Sequence, residues 1–472
     1  MLCDTGDFMS LVYDELFRNL HYLNAPNIVV TPPGPKAKAL LDRQSKLEGK
    51  AVLYPLYIPL VPEEGFGATV RDVDGNVYID FFAGIAVANF GYSNPYVVEA
   101  VMNQLRKIVH TLDFPSEPRE ELAEKLISIA PGELKGECKV LFGGPTGSDA
   151  VESAVKLAKW ITNRRVILTF EGSYHGQTAM ALNLSSGRTF KDPYIPLAPE
   201  AHFLPYPYCY RCPFKLQHPE CNTICVDYVE HLIEDPYSGI PSPAAIIVEP
   251  IQGEGGIIVP PPEFLPKLRR IAEKYEIPLI IDEIQSGMGR TGRWFACEYS
   301  SVTPDIMTIS KAIGGIGLPL SVIIYKGKYD LWSPGAHLGT FRGHVLAMKA
   351  GVAAIEFAEK NKLLEHVQKI GEESLKYLKE LTEKSRIIGD VRGRGLMIGV
   401  EIVEDKTTKK PAKELASKIQ MKAFKKGLIV WKAGHYSNVI RLLPPLTITR
   451  ELMNKGLEIL RSVLIEAEKE YM

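Results

Sequence analysis

The sequence of 472 residues lacks three features that would each define a class of protein. Its 55 lysine and arginine residues are balanced by 56 aspartate and glutamate residues, so it lacks the strong positive charge of a dedicated nucleic-acid-binding protein. It has no apolar run of about eighteen residues that could span a membrane. Seven cysteines are too few for the disulfide scaffold of a small secreted protein. These absences favour a globular enzyme with small-molecule substrates.

The beginning of the chain also lacks the pattern of a secretory signal. Residues 1–20 include several acids, and no basic start is followed by an apolar stretch and small residues. Apolar residues make up 46% of the sequence and charged residues 24%, as in ordinary globular proteins. We therefore expect a cytoplasmic enzyme.

The chain is too long for one compact core, and its hydrophobic patterns divide it into three regions. In the first region, alternating apolar and polar residues around Asp74 predict a hairpin. From Cys138 onward, short apolar runs alternate with helical stretches, which is typical of a parallel sheet covered on both faces. We expect an α/β fold in which residues 81–345 form a large domain with a mostly parallel sheet. Residues 1–80 and 346–472 should together build a smaller α+β domain.

Two segments that follow predicted strands are suited to ligand binding. Residues 143–150, GGPTGSDA, connect a strand to a helix, where glycines let the backbone approach a ligand and the first N–H groups of the helix attract an anion. Thr146 and Asp149 in the same segment also fit an ordinary helix cap. Tyr174 follows the next strand and could stack on a flat ring or pack as a buried aromatic in a turn.

A carboxylate and an amine follow two further apolar runs. Asp282 ends the run that begins at Pro278, and a carboxylate there needs a cation or hydrogen-bond donors because burying it alone is costly. It could form a structural ion pair or meet a ligand at the carboxyl edge of the sheet. Lys311 enters a glycine-rich stretch, where an amine removed from water is suited to Schiff-base chemistry. Its alternative is a side chain that lies along apolar surface and reaches solvent.

Together these segments could hold each part of pyridoxal 5′-phosphate: its phosphate, ring face, pyridine nitrogen and aldehyde. The order of the motifs resembles that of the class III (ornithine/4-aminobutyrate type) aminotransferases, which are fold-type-I pyridoxal-phosphate enzymes. The motifs that carry the resemblance are VEPIQGEGG at 248–256, IDEIQSGMGRTG at 281–292, SK at 310–311, RGRGLMIG at 392–399 and VIRLLPPL at 439–446. The resemblance covers residues 30–465.

The resemblance implies a role for each matching residue. Lys311 would bind the cofactor as a Schiff base, and Asp282 would pair with the pyridine nitrogen. Glu254 and Arg441 match a glutamate–arginine pair whose arginine takes the substrate α-carboxylate. The other implied cofactor contacts are Gly147, Ser148, Tyr174, His175, Gln285 and Thr340. Thr340 would come from the neighbouring subunit of a homodimer or higher homo-oligomer.

Three departures from the family pattern concern the substrate and two loops. Many members that act on distal amino groups have an arginine at the position of Gln177, where it holds a remote carboxylate. A neutral amide cannot form a bidentate ion pair, so Gln177 remains a predicted substrate contact while 4-aminobutyrate is disfavoured as the substrate. Pro145, before the phosphate helix, and residues 342–344, where a small-Gly-Asn string is usual, put the shapes of those loops in question.

Four cysteines lie close together in the sequence, namely Cys209, Cys212, Cys221 and Cys225, with His218 between them. They could bind a zinc ion, form disulfides or stay free thiols, and the spacing does not decide among these possibilities. None is expected to take part in the chemistry, and no metal is assigned to the catalytic site. The remaining cysteines are isolated: Cys3, Cys138 and Cys297.

The predicted function is transfer of an amino group from an amino acid to a 2-oxo acid. The runner-up is an amino-acid racemase or epimerase, because the same carbanion can regain its proton on either face. Some members of an archaeal type that resemble this chain are racemases, and Glu254 would then be a second acid–base group. The third class is a binding or structural protein that only keeps the fold, and the presence of Lys311 and Asp282 argues against it.

Overall fold

The computed structural model describes residues 15–197 and 200–471. The chain divides into a terminal unit, built from residues up to Val98 and from Phe357 onward, and a central unit, Glu99–Glu356. The boundaries expected from the sequence, after residues 80 and 345, both lie N-terminal to these. Cys3 and most of the segment considered for a secretory signal lie outside the described residues.

A seven-stranded sheet forms the central unit's framework. Its strands are, in chain order, β1 (Cys138–Phe142), β2 (Val166–Phe170), β3 (Ala201–Leu204), β4 (Pro243–Val248), β5 (Leu279–Asp282), β6 (Ile306–Ile309) and β7 (Val322–Lys326). Their spatial order is β1-β7-β6-β5-β4-β2-β3, and β7 alone runs antiparallel to its neighbours. Strands β2, β4, β5 and β6 are buried at every residue, as expected for a parallel sheet with both faces covered.

Helices alternate with these strands. Those of the central unit are Glu117–Ile129, Gly147–Thr162, Ala179–Leu184, Arg188–Lys191, Ile224–Glu234 and Phe264–Lys274. Short 3₁₀ turns occupy Gly132–Leu134, Asp192–Tyr194, Cys209–Arg211, Ala296–Ser300, Lys311–Gly314 and Gly327–Tyr329. Two further helices, Pro95–Leu105 and Val345–Lys360, contain the boundaries between the units. No described helix is long and apolar enough to cross a membrane.

The terminal unit contains two sheets. The first joins Pro62–Phe66, Thr69–Asp72, Val77–Asp80 and Leu428–Ile429 in this order. The second joins Ile388–Arg394, Met397–Asp405, Val439–Leu442 and Trp431–Ala433 in this order, with Lys410–Pro411 paired to Met397–Asp405. The helices are Pro35–Leu47, Tyr54–Tyr57, Ala83–Ala86, Leu363–Lys384, Lys413–Lys425 and Arg450–Tyr471.

The first sheet of the terminal unit combines strands from both ends of the chain. Thr69–Asp72 and Val77–Asp80 form the predicted hairpin, whose turn contains Gly75 at a φ of +91°. Leu428–Ile429 pairs in parallel with Val77–Asp80. The prediction of an α/β fold with a smaller part built from both chain ends is confirmed.

Candidate active site

The candidate active site lies at the carboxyl edge of the central sheet. The parallel strands β1, β2, β4, β5 and β6 all end at this edge. The segments that follow or end them carry, in the same order, residues 143–147, Tyr174, Glu249, Asp282 and Lys311. Ligands of open parallel sheets bind at this edge, so the topology collects five of the strands' terminal segments into one region.

Asp282 is a buried carboxylate whose two oxygens are both held. Its Oδ2 lies 2.6 Å from Nδ1 of His175, and both side chains are almost fully buried. Its Oδ1 accepts hydrogen bonds from the backbone N–H of Ile284 and the hydroxyl of Thr308, each at 3.0 Å. The backbone N–H of His175 donates to Oγ of Ser185 at 2.8 Å. These contacts fix the orientation of the carboxylate.

The second ring nitrogen of His175, Nε2, differs from Nδ1 in its contacts. Its Nε2 is buried and makes no hydrogen bond to any described residue. The sequence placed His175 among the cofactor contacts, and the structure places its ring directly against Asp282.

Lys311 begins a 3₁₀ turn one residue after Ser310, beyond the end of β6. Thr308 of β6 is in register with Asp282 of β5, so Lys311 follows the strand adjacent to the one that Asp282 ends. The backbone of Lys311 has a φ of +51°, a left-handed conformation that few non-glycine residues adopt. Strained backbone of this kind is concentrated at functional sites.

The glycine-rich segment after β1 starts the helix Gly147–Thr162 with a cap. Both the backbone N–H and the hydroxyl of Thr146 donate to Oδ2 of Asp149, at 2.9 and 2.7 Å. The ordinary capping arrangement considered from the sequence is therefore present. It leaves the positive end of the helix dipole at the carboxyl edge, where an anion is favoured.

Ser148, Gly176 and Gln177 are neighbours at the same edge. The backbone N–H of Gln177 donates to Oγ of Ser148 at 3.1 Å. Gly176 has a φ of +136°, and a Cβ atom added to it would lie 2.1 Å from Oγ of Ser148. Only glycine fits there without displacing the serine.

Tyr174 and Gln177 also contact each other through their side chains. Nε2 of Gln177 lies 3.4 Å from the hydroxyl of Tyr174, and the Tyr174 ring packs edge-on against Phe190 with centroids 5.7 Å apart. Gln177 is exposed, so the amide at this position faces solvent and the tyrosine.

Glu249 is a functional candidate that the sequence reasoning missed. Its carboxylate accepts the backbone N–H groups of Tyr174, at 3.0 Å, and Gly253, at 2.9 Å, which ties two loops of the site together. Its backbone carbonyl accepts the hydroxyl of Tyr206 at 3.0 Å. Burial raises the pKa of Glu249 to about 7. Like Asp282, it lies at the carboxyl end of an apolar run, and that signal could have identified it.

Glu254, on the loop after β4, and Gln285, on the loop after β5, are brought together. Nε2 of Gln285 donates to Oε1 of Glu254 at 3.3 Å. A Cβ atom added to Gly253 would lie 2.3 Å from Oε1 of Gln285, so the loop requires glycine beside this amide.

Two further predicted site residues, Thr340 and Arg441, are not on the segments that follow these strands. Thr340 is on an exposed segment, and its carbonyl oxygen is 2.9 Å from Nε2 of His110. Residues 342–344, which differ from the family pattern, contribute to the shape of this loop, because Nε of Arg342 donates to the carbonyl of Phe142 at 3.1 Å. Arg441 belongs to the terminal unit, where it is fully buried on the strand Val439–Leu442.

The cysteines contribute no ligand cluster to the site. All six described cysteines are free thiols, and the isolated Cys138 and Cys297 are buried. Within residues 15–197 and 200–471, no group of three or more histidine, cysteine, aspartate or glutamate side chains is arranged to hold a metal ion.

Comparison with known proteins assigns the family. The class-III aminotransferase family model matches residues 55–464, and the chain belongs to this family. Diaminobutyrate–2-oxoglutarate aminotransferase of Rhizobium meliloti is 42% identical over 417 residues, which cover 87% of this chain and 88% of that protein. Alanine/serine racemase of Pyrococcus horikoshii is 40% identical over 467 residues, which cover 97% of this chain and 96% of that protein. The family resemblance is confirmed.

A solved structure with the same fold supports the cofactor. It is a pyridoxal-phosphate-bound amine transaminase from an uncultivated Pseudomonas species, with 29% identity and a TM-score of 0.80. The match covers 90% of this chain and 98% of that one. The predictions of fold type I and of a pyridoxal-phosphate-dependent class III aminotransferase are confirmed.

The described residues fit pyridoxal phosphate. The start of the helix Gly147–Thr162 suits its phosphate, and the buried Asp282 carboxylate suits a protonated ring nitrogen. The amine of Lys311 suits its aldehyde. Glycine at 176 and at 253 keeps open the space beside Ser148 and Gln285 that a Cβ atom would fill.

We predict that Glu249→Gln flattens the pH dependence of stability. The pKa of this acid is raised from 4.5 to about 7, so the folded state keeps its proton longer than the unfolded state. Protonated Glu249 should therefore add on the order of 3 kcal/mol to the free energy of unfolding at low pH. This contribution should be lost as pH rises from about 4.5 to about 7, and stability should then level off. Urea unfolding at intervals between about pH 5 and about pH 8 measures it.

Glu283→Gln is the matched control for this measurement. Glu283 is also buried with its pKa raised to about 7, and it accepts hydrogen bonds from Ser286 and Cys297. Each variant should lose its own share of the pH dependence and keep the other's. A Glu249→Gln variant with the full wild-type slope would contradict the prediction.

Proposed function

We propose that this aminotransferase moves the amino group of an α-amino acid to a 2-oxo acid, with Lys311 as the residue that binds the cofactor and moves the substrate proton. The observation that carries the proposal is the pairing of two adjacent strand ends. Asp282, held at both oxygens, ends β5, and the strained Lys311 follows β6. An acid and an amine placed in this way match the two reactive ends of the cofactor.

The remaining contacts follow from the same edge and from the family resemblance. Gly147 and Ser148 would hold the phosphate, together with Thr340 of a second copy of the chain. Tyr174 would pack on the ring face and Gln285 would meet the phenolic oxygen. His175 acts through Asp282, since its Nδ1 lies 2.6 Å from the carboxylate.

Pyridoxal phosphate supplies an aldehyde that condenses with amines and a ring that accepts electrons when a proton leaves Cα. Asp282 would hold a proton at the ring nitrogen, which would maintain that electron demand. The amine of Lys311 would hold the cofactor aldehyde and would accept the proton that leaves the substrate Cα. Glu249 keeps the Tyr174 and Gly253 loops in place around these groups.

Two variants test these roles in one assay. Purified protein is incubated with L-amino acids and 2-oxoglutarate, the acceptor named for the Rhizobium relative, and glutamate is measured. Lys311→Ala should give neither turnover nor a borohydride-fixed cofactor adduct on this residue. Asp282→Asn should keep the adduct but lose at least about 100-fold in kcat, because a neutral amide no longer holds the ring proton. An adduct on another lysine, or a near-normal rate for Asp282→Asn, would refute the assignment.

Racemisation is the second candidate function. It is favoured by the racemase of Pyrococcus horikoshii, whose match covers 97% of this chain. Glu254, which accepts a hydrogen bond from Gln285, would then serve as the second acid–base group. Chiral analysis of the same reactions without an oxo acid separates the two functions. Accumulation of the D-enantiomer supports racemisation, and an unchanged L-enantiomer excludes it.

Arg441 is proposed as the anchor of the substrate α-carboxylate. A guanidinium offers a carboxylate two parallel hydrogen bonds, whereas the exposed amide of Gln177 cannot form an ion pair. The strand that holds Arg441 is buried at every residue and pairs on both sides, which keeps the arginine backbone fixed.

We predict that Arg441→Lys lowers kcat/KM for α-amino acids, which corresponds to a rise of about 1–3 kcal/mol in the activation free energy. A simple amine substrate should be hardly affected. Arg392→Lys is the matched control, because Arg392 lies in the same sheet and is paired with Asp390 and Glu401 at 2.7 Å. It should affect both substrates alike. Equal losses for both substrates in Arg441→Lys would show a structural role instead.

A homodimer is also proposed. Thr340 lies beside Leu338 and Phe341, which are 71% and 69% exposed. Leu112 and Phe114, 45% and 70% exposed, line an open cavity of about 550 Å³ together with Leu338. Large apolar side chains exposed together mark a surface for association.

The dimer prediction is checked by light scattering after size exclusion. Wild type should run at twice the chain mass of 52.4 kDa, and Phe114→Glu should shift it towards the monomer with weaker cofactor retention. Tyr237→Glu is the control, because Tyr237 is 95% exposed in the same unit and should tolerate the charge. A wild-type monomer with full activity would disprove the dimer.

A further inference from the structure

The segment of residues 205–225, here called the cysteine segment, connects strand β3 to the helix Ile224–Glu234 with little regular structure. Before that helix, a single 3₁₀ turn at Cys209–Arg211 interrupts it. Lys215, Asn222 and Thr223 adopt left-handed backbone conformations, with φ of +59°, +48° and +58°. Such a segment needs contacts other than backbone ladders to keep its shape.

Four thiols of this segment converge on one small cavity. Cys209, Cys212, Cys221 and Cys225 all line a space of about 20 Å³. Cys209 is exposed and Cys221 half-buried, whereas Cys225 is buried. Desolvation raises the pKa of Cys209, and among its neighbours Cys221 adds most to this effect, followed by Cys212. Cys209 and Cys221 thus line the same cavity, and solvent reaches both thiols.

No preformed metal site explains this convergence. The walls of the cavity also include Pro207, Pro213 and Phe214. In the part of the chain that the structure describes, no three potential ligand side chains are arranged around a metal position. Two accessible thiols that line one cavity can form a bond with each other.

We propose that Cys209 and Cys221 form a reversible disulfide that fastens the cysteine segment. The oxidant is a low-molecular-weight disulfide such as oxidised glutathione. The Cys209 thiol loses its proton and attacks one sulfur, which releases one small thiol and leaves a mixed disulfide. Cys221 then loses its proton and displaces the second small thiol. Two protons and two electrons leave the protein, and the oxidant is reduced to two thiols.

Both ends of the cysteine segment are held by contacts with the rest of the central unit, so a disulfide within it should affect stability. At the start, Tyr206 donates to the carbonyl of Glu249 at 3.0 Å and packs edge-on against Phe264. At the end, Lys267 donates to the carbonyl of Asn222. A cross-link between these ends removes conformational freedom chiefly from the unfolded chain, so the oxidised protein is the more stable form.

Counting free thiols tests the proposal on the full-length protein. Wild type is treated with oxidised glutathione or with dithiothreitol, unfolded, alkylated with iodoacetamide and weighed. The reduced protein should carry an adduct on each of its seven cysteines, and the oxidised protein two fewer. Peptide mapping without reductant should recover Cys209 joined to Cys221. Reduction should lower the melting temperature by about 3–10 °C.

Four variants sharpen the test. Cys209→Ser and Cys221→Ser should each abolish the cross-link and the effect of reductant on melting. Cys138→Ser and Cys297→Ser, which replace buried thiols of the same unit, should retain both. The proposal is overturned by full alkylation of glutathione-treated wild type, by a cross-link between another pair, or by zinc held on these thiols in native mass spectrometry.

Discussion

Burial of the Asp282 carboxylate is the constraint on which the candidate active site depends. The residue is 3% exposed, and a charge at that depth is tolerated only when its oxygens are engaged. The ring of His175, the backbone of Ile284 and the hydroxyl of Thr308 engage them. These donors come from the segment after β2, the segment after β5 and strand β6 itself. The central sheet must therefore be assembled in register before the acid can occupy its position, which links the integrity of the sheet to the chemistry at its edge.

Glu249 is a second buried carboxylate with engaged oxygens, and its donors belong to two loops. Its carboxylate is satisfied by backbone N–H groups of Tyr174 and Gly253, so a buried acid sets the relative position of two loops that the sheet alone leaves independent. Its backbone carbonyl, in turn, holds Tyr206 and with it the start of the cysteine segment. Glu249 thus connects the loops at the carboxyl edge of the sheet to the cysteine segment.

The sequence was sufficient to predict the parallel sheet and the placement of Asp282 and Lys311 at its carboxyl edge. Fully apolar runs identify strands buried on both faces, and because parallel strands end at one edge, Asp282 and Lys311 could be expected to meet there. The contact between His175 and Asp282 could not be predicted, since it joins positions 107 residues apart and neither position carries a local signal for the other. The helices Pro95–Leu105 and Val345–Lys360 continue across the division of the chain into units, and the domain boundaries expected after residues 80 and 345 stay predictions. The roles of Thr340 and Arg441 rest on the family resemblance and stay predictions.

The parallel pairing of Leu428–Ile429 with Val77–Asp80 has a consequence for how the chain is made. A ribosome delivers the whole central unit as one uninterrupted stretch, so its sheet can close while synthesis continues. The strand Val77–Asp80 emerges early, yet its parallel neighbour is translated only after nearly all of the remaining chain. The terminal unit therefore reaches its native pairing last. Asn27 can bond Val77 early, but through that interval the rest of this side of the buried strand stays open to incorrect partners.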